Sequence, residues 1–116
     1  QSVAHHSLGA LEGIKSGEFA PPAPSAPHDY PALQKLVADT KDALAKLTPA
    51  EVNALEGHDI FFKIRDFKLP FTAENFVLSF SLPNFHFHAT TAYDILRTKG
   101  VPLGKRDYMG QMRMKM

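Results

Sequence analysis

Apolar and polar positions along the chain follow two periods. Between Asp29 and Leu47 the apolar residues Leu33, Leu36, Val37, Thr40, Leu44 and Leu47 fall on one stripe, with Gln34, Lys35, Asp39, Lys41 and Asp42 off it. That is helical spacing with one buried face. Val3, Ser7, Ala10, Leu11 and Ile14 predict a first helical segment over Gln1–Lys15. From Asp59 to Phe71 the period shortens to two: Ile60, Phe62 and Ile64 alternate with polar or outward positions, then Phe67, Leu69 and Phe71 do the same. Alternation of that kind predicts a two-stranded hairpin leaning on helices. A last helix is expected from Thr72, with Phe76, Val77 and Phe80 inside, a kink at Pro83, and a second stretch from Asn84 to Lys99.

Local signals punctuate these elements. Ser16-Gly17 is a helix stop, and residues 18–28, with four prolines, predict an extended connector. Asp29 is a helix cap with Pro31 tolerated in the first turn. Thr48-Pro49-Ala50-Glu51 matches a capping box, which predicts a short helix ended by Gly57. Gly100 and Pro102 close the last helix, and residues 109–116 form a Met- and Lys-rich tail. The layout is one mainly helical domain over residues 1–116, a helical bundle with a small β-hairpin. The first residue is Gln1 and the first segment already reads as helix, so a preceding helix is expected to be missing from this chain.

Composition narrows the chemistry. A net charge of +1 gives no field for nucleic acid or membrane surfaces. No apolar run approaches the ~20 residues of a membrane span. The absence of cysteine removes thiol nucleophiles and zinc–thiolate sites, and leans toward an intracellular, cytoplasmic setting. No serine elbow, paired acidic dyad or dinucleotide fingerprint is visible, so no catalytic set is assigned.

The candidate site lies in Leu82–Gly110. Asn84 and His88 are one helical turn apart and share a face that Thr91 and Ile95 continue. A third polar group would come from the first segment, from His6 or His5. Two imidazoles with an amide or water could hold a divalent metal such as Zn²⁺ or Ni²⁺; the alternative is a hydrogen-bonded core histidine with no metal. The expected pocket is lined by Asn84, His88 and Tyr93. His86 and His88 would share a face only on a strand, and the small and apolar residues that follow favour helix. Lys105 and Arg106, after Gly104, offer an anion site, against a plain turn in which Asp107 pairs with a basic neighbour.

The run Pro83-Asn84-Phe85-His86-Phe87-His88, with Thr91-Ala92-Tyr93, Leu96-Arg97 and Gly100-Val101-Pro102-Leu103-Gly104-Lys105-Arg106-Asp107-Tyr108-Met109-Gly110, resembles the uncharacterised, domain-of-unknown-function branch of the DinB/YfiT-like helical-bundle superfamily. The resemblance implies an up-down four-helix bundle, often a homodimer, with further chain at the N-terminus. It also implies a three-histidine metal site, used in some members for thiol-dependent transfer. The family's HxxxH pair falls on Asn84 and His88, and its other histidine on His6 or His5. Asn84 is a departure that removes one ligand. Two functions follow as expectations: a small-molecule-binding bundle, as an enzyme a metal-dependent transferase or hydrolase, or a non-catalytic bundle acting through dimerisation or partner binding.

Overall fold

Phenylalanines gather where the short strands meet the helices. The computed structural model describes residues 1–116. Strands β2 (Asp59–Ile64) and β3 (Phe67–Thr72) form the expected antiparallel hairpin, with Asp59 opposite Thr72 and Ile64 opposite Phe67. Arg65 turns the corner with φ 53°, a left-handed conformation that costs a residue bearing Cβ about 1–2 kcal/mol. No glycine marks this turn, which is why it is hard to see in the sequence.

A third strand corrects the reading of residues 18–28 as connector throughout. Glu18–Phe19 form β1, which runs parallel to β2 in the order β1-β2-β3. Gly17 makes the approach possible. It ends the preceding helix with φ 82°, and its carbonyl accepts from the Phe61 amide at 3.0 Å. The strand puts Phe19 into the core, where the phenyl ring meets Phe76 at 5.2 Å and Phe80 at 6.1 Å. The buried cluster is Ala10, Ile14, Phe19, Leu55, Ile60, Ala73 and Phe76, with Phe62, Phe71 and Phe80 packed against it.

The first helical segment is broken in two, α1 (Ser2–His5) and α2 (Leu8–Ser16), at His6-Ser7. Helix α3 (Tyr30–Ala45) starts where its cap predicts, with the Asp29 carboxylate accepting from the Ala32 amide at 2.9 Å. The Thr48–Glu51 capping box forms on α4 (Pro49–Asn53), and its hydrogen bonds from Thr48 hold the Glu51 carboxyl below its ordinary range. Thr72 caps α5 (Ala73–Phe76) through the Asn75 amide at 3.3 Å.

Before Pro83, where a kink is expected, the helical winding changes. Val77–Ser81 is a π-helical stretch, after which α6 (Leu82–Thr98) continues with Pro83 in its first turn. Proline lacks the amide that would bond to the carbonyl four residues back, and a wider turn just before it accommodates that loss. A final turn of helix, α7 (Lys105–Met109), closes the loop that follows α6. The chain is thus mainly helical with a small three-stranded sheet. No helix is long and apolar enough to cross a membrane.

Candidate functional site

The break in the first segment and the π-helical stretch meet at His6. Ser81, the one buried polar residue, donates from its hydroxyl to the His6 carbonyl at 2.6 Å. A helix interrupted at His6-Ser7 leaves carbonyls without intrahelical partners, and Ser81 satisfies one of them. That bond ties α1 to the start of α6 across 75 residues of sequence. It sets the His6 ring between Phe19 at 5.4 Å, Phe80 at 5.7 Å and His88 at 5.9 Å, the last nearly parallel with an interplanar angle of 15°.

His6 and His5 differ in what they touch. His5 Nε2 lies 2.7 Å from the Ala20 carbonyl; a carbonyl only accepts, so that nitrogen carries the proton. Its ring stacks on Phe19 at 4.4 Å. Gly9 makes room for it, since a Cβ there would stand 3.0 Å from His5 Nδ1. His5 therefore pins the chain after β1 and is spent on structure. His6 Nδ1 is buried and has no hydrogen-bond partner. Burial lowers the pKa of His6, and the neighbouring His5 and His88 push it further the same way. Burial thus favours the uncharged form of His6, whose ring lies beside that of His88.

The structure brings His6 and His88 together and leaves the other expected members elsewhere. The Asn84 amide donates to the Phe80 carbonyl at 2.7 Å. That bond serves the backbone of the π-helical stretch, where the hydrogen-bond ladder is disturbed, and it engages Nδ2, not the Oδ1 through which an amide would ligate a metal. Tyr93 faces another way. It lines a groove of about 450 Å³ between α6 and α7 with His86, Ala89, Leu96 and Tyr108, and His88 is not part of that groove. Five residues separate His88 from Tyr93, which on a helix turns the two side chains well apart.

His86 and His88 both lie on α6, so the strand alternative falls. His86 Nδ1 is 3.1 Å from the Tyr108 hydroxyl, which Thr90 also contacts at 3.4 Å. Asp107 does not pair with a basic neighbour. Its carboxylate accepts from the Gly104 amide at 2.7 Å and starts α7, leaving Lys105 and Arg106 exposed. A second groove, of about 340 Å³, lies between α2, α4 and α5 and contains no histidine.

A divalent ion would need donors from this cluster. The orphaned His6 Nδ1 and the facing His88 ring are two imidazole donors of the right kind. No group of three His, Cys, Asp or Glu is present to complete them. Catalytic zinc takes three protein ligands, so the set in this chain is one donor short and does not fit such a centre alone. Ser81 is the residue that sequence reasoning missed. A serine within an apolar helix carries no distinguishing signal, although Pro83 two residues on marks the place where winding must change.

A family model described as a domain of unknown function, DUF1993, matches residues 1–109. Among solved structures the chain is similar to a DinB family member protein from Shewanella denitrificans, with a TM-score of 0.74 and 25% identity. The match covers 98% of this chain and 64% of that one, so the chain spans less than two thirds of that protein's length. No curated protein matches the chain.

Proposed function

The chain belongs to the DUF1993 family, and from that premise we propose that it is a small-molecule-binding protein whose site is the His6–His88 imidazole pair. One observation carries this reading: the buried, unpartnered Nδ1 of His6. An unsatisfied buried polar atom costs about 1–3 kcal/mol, a cost that persists where it serves a bound group. Desolvation and the two neighbouring imidazoles keep His6 uncharged. A neutral imidazole accepts a proton, so the head group that suits it is a hydroxyl or thiol. Phe19 and Phe80, which flank His6, offer an apolar wall for the remainder of the molecule.

In its enzymatic form the reading is a transferase or hydrolase in which His6 takes a proton from the bound hydroxyl or thiol while His88 orients the head group. No step is routed through a metal, because the donor set is one short. Apolar side chains left exposed on α3 and α6, Val37 at 57% and Ile95 at 56%, favour a second reading, in which the chain works by association.

The test is a titration of the chain with a small thiol, benzyl mercaptan, followed through the ¹⁵N resonances of the histidine rings. Shifts confined to His6 and His88, and abolished by His88→Ala, support the reading. Shifts that persist unchanged in His88→Ala, or that never involve His6, contradict it.

A further inference from the structure

We propose that the tail after α7 binds a soft monovalent metal ion, Cu(I), through the thioethers of Met112, Met114 and Met116. The premise is where the methionines lie. The chain has 4 methionines, and all of them fall within residues 109–116. Methionine is among the residues most often buried. Here the buried core is made of Ala, Ile, Phe and Leu and holds no methionine. Met109, Met112, Met114 and Met116 are instead each more than half exposed. An apolar side chain left in water gains no burial energy, so packing does not account for this row. What distinguishes methionine from the other apolar residues is its polarizable sulfur. The family match ends at Met109, so the three proposed ligands lie beyond it.

The backbone leaves this segment free to wrap an ion. Gly110 ends α7 with φ 63°, and its amide donates to the Arg106 carbonyl at 2.9 Å. Residues 111–116 enter no helix or strand. None of the ion pairs Lys35–Asp39, Lys63–Glu18 and Lys68–Glu18 involves them. A spacing of two places Met112, Met114 and Met116 on one side of an extended chain, with Arg113 and Lys115 on the other. The structure bends this segment around a concave space of about 550 Å³, lined by Gln111, Met112, Arg113, Met114 and Met116. All three thioether residues thus border one space. It is larger than an ion, and rotation within the tail, which breaks no helix or strand, closes it.

The donor set selects the ion. Thioethers are soft ligands that suit Cu(I), whereas imidazole suits Zn²⁺ and Ni²⁺ and carboxylate suits Mg²⁺ and Ca²⁺. From Gly110 to Met116 there is no Asp, Glu, His or Cys, so divalent ions find neither an anionic nor an imidazole donor. Arg113 and Lys115 act in the same direction. Coulomb repulsion scales with the charge of the ion, so two neighbouring cations oppose a divalent ion twice as strongly as a monovalent one. The tail and the His6–His88 pair use different donors, and the two readings fail independently.

The experiment is a titration of the intact chain, ¹³C-labelled at the methionine methyl groups, with silver nitrate in chloride-free buffer. Silver(I) is the redox-inert counterpart of Cu(I). The first equivalent is expected to shift the methyl resonances of Met112, Met114 and Met116 together, and zinc sulfate is expected to leave them in place. Cu(I), added under argon as its acetonitrile complex, is expected to displace the silver. The triple variant Met112→Leu, Met114→Leu, Met116→Leu keeps the apolar volume and removes the sulfur. It is expected to weaken silver binding at least about tenfold with circular dichroism unchanged. Met109→Leu is expected to bind like wild type. Methyl resonances that stay still through the first equivalent overturn the proposal, as does a first equivalent taken up by His6 and His88. Wild-type affinity in the triple variant, binding lost in Met109→Leu alone, or silver that Cu(I) does not displace overturns it as well.

Discussion

The two sides of α6 carry a histidine each, and the histidines have opposite surroundings. On one side His86 meets the Tyr108 hydroxyl, beside Thr90, in an open groove. On the other, His88 faces His6, whose Nδ1 is shut away with no partner. Two residues of sequence separate a satisfied surface histidine from a member of an unsatisfied pair. The difference is made by what each side of the helix leans on. α7 brings a hydroxyl, while α1 brings a second imidazole clamped in place by Ser81. Sequence position along α6 is thus a poor guide to which histidine is chemically available. The guide is the element packed against it.

Perturbing the clamp should give the largest change. Ser81→Ala removes the hydroxyl that holds the His6 carbonyl in a buried setting, and is expected to cost about 1–3 kcal/mol in urea unfolding. His6→Leu should act in the other direction. It replaces an unpaired buried nitrogen with an apolar group, so stability is expected to stay level or rise by about 1 kcal/mol while the thiol-induced shifts at His88 disappear. A loss of stability there would mean that His6 is structural.

Acid should separate the two sides next. The folded pKa of His6 is lowered, so the unfolded chain binds the extra proton more readily. His6's contribution is fully present above its unfolded value of 6.5 and declines as pH falls below it toward the folded value. Unfolding measured from pH 7.5 down to pH 5 should show this decline in wild type and a smaller one in His6→Leu. Smallest of all is Tyr108→Phe, which removes a hydroxyl from an exposed cluster and should change stability by less than about 0.5 kcal/mol.

Much of the frame was legible. Asp29, Thr48 with Glu51, and Thr72 cap their helices as their positions predict, because a cap is a local interaction written within four residues. The hairpin was legible from alternation. What lay hidden depends on distant parts of the chain. The pairing of Phe19 with β2 needs Gly17 to turn toward a strand some 40 residues on. The break at His6 needs Ser81 to satisfy its carbonyl. The stripe on α3 predicts one buried face, but no residue of α3 is fully buried, and Val37 is 57% exposed, because periodicity cannot say what the rest of the chain supplies to cover it. At the site, helical spacing puts Asn84 and His88 on one face and leaves His5 and His6 as alternatives, and it gives no partner for Tyr93. Asn84 instead repairs the backbone of the π-helical stretch, and Tyr93 turns into the groove under α7.

The most direct measurement is the pH titration of the His6 ring by NMR in wild type and in His88→Ala. A buried His6 beside a second imidazole predicts a midpoint below 6.5 in wild type that rises when the His88 ring is removed. A midpoint at or above 6.5, unmoved by His88→Ala, would show that His6 is solvated and that the two rings do not form a site.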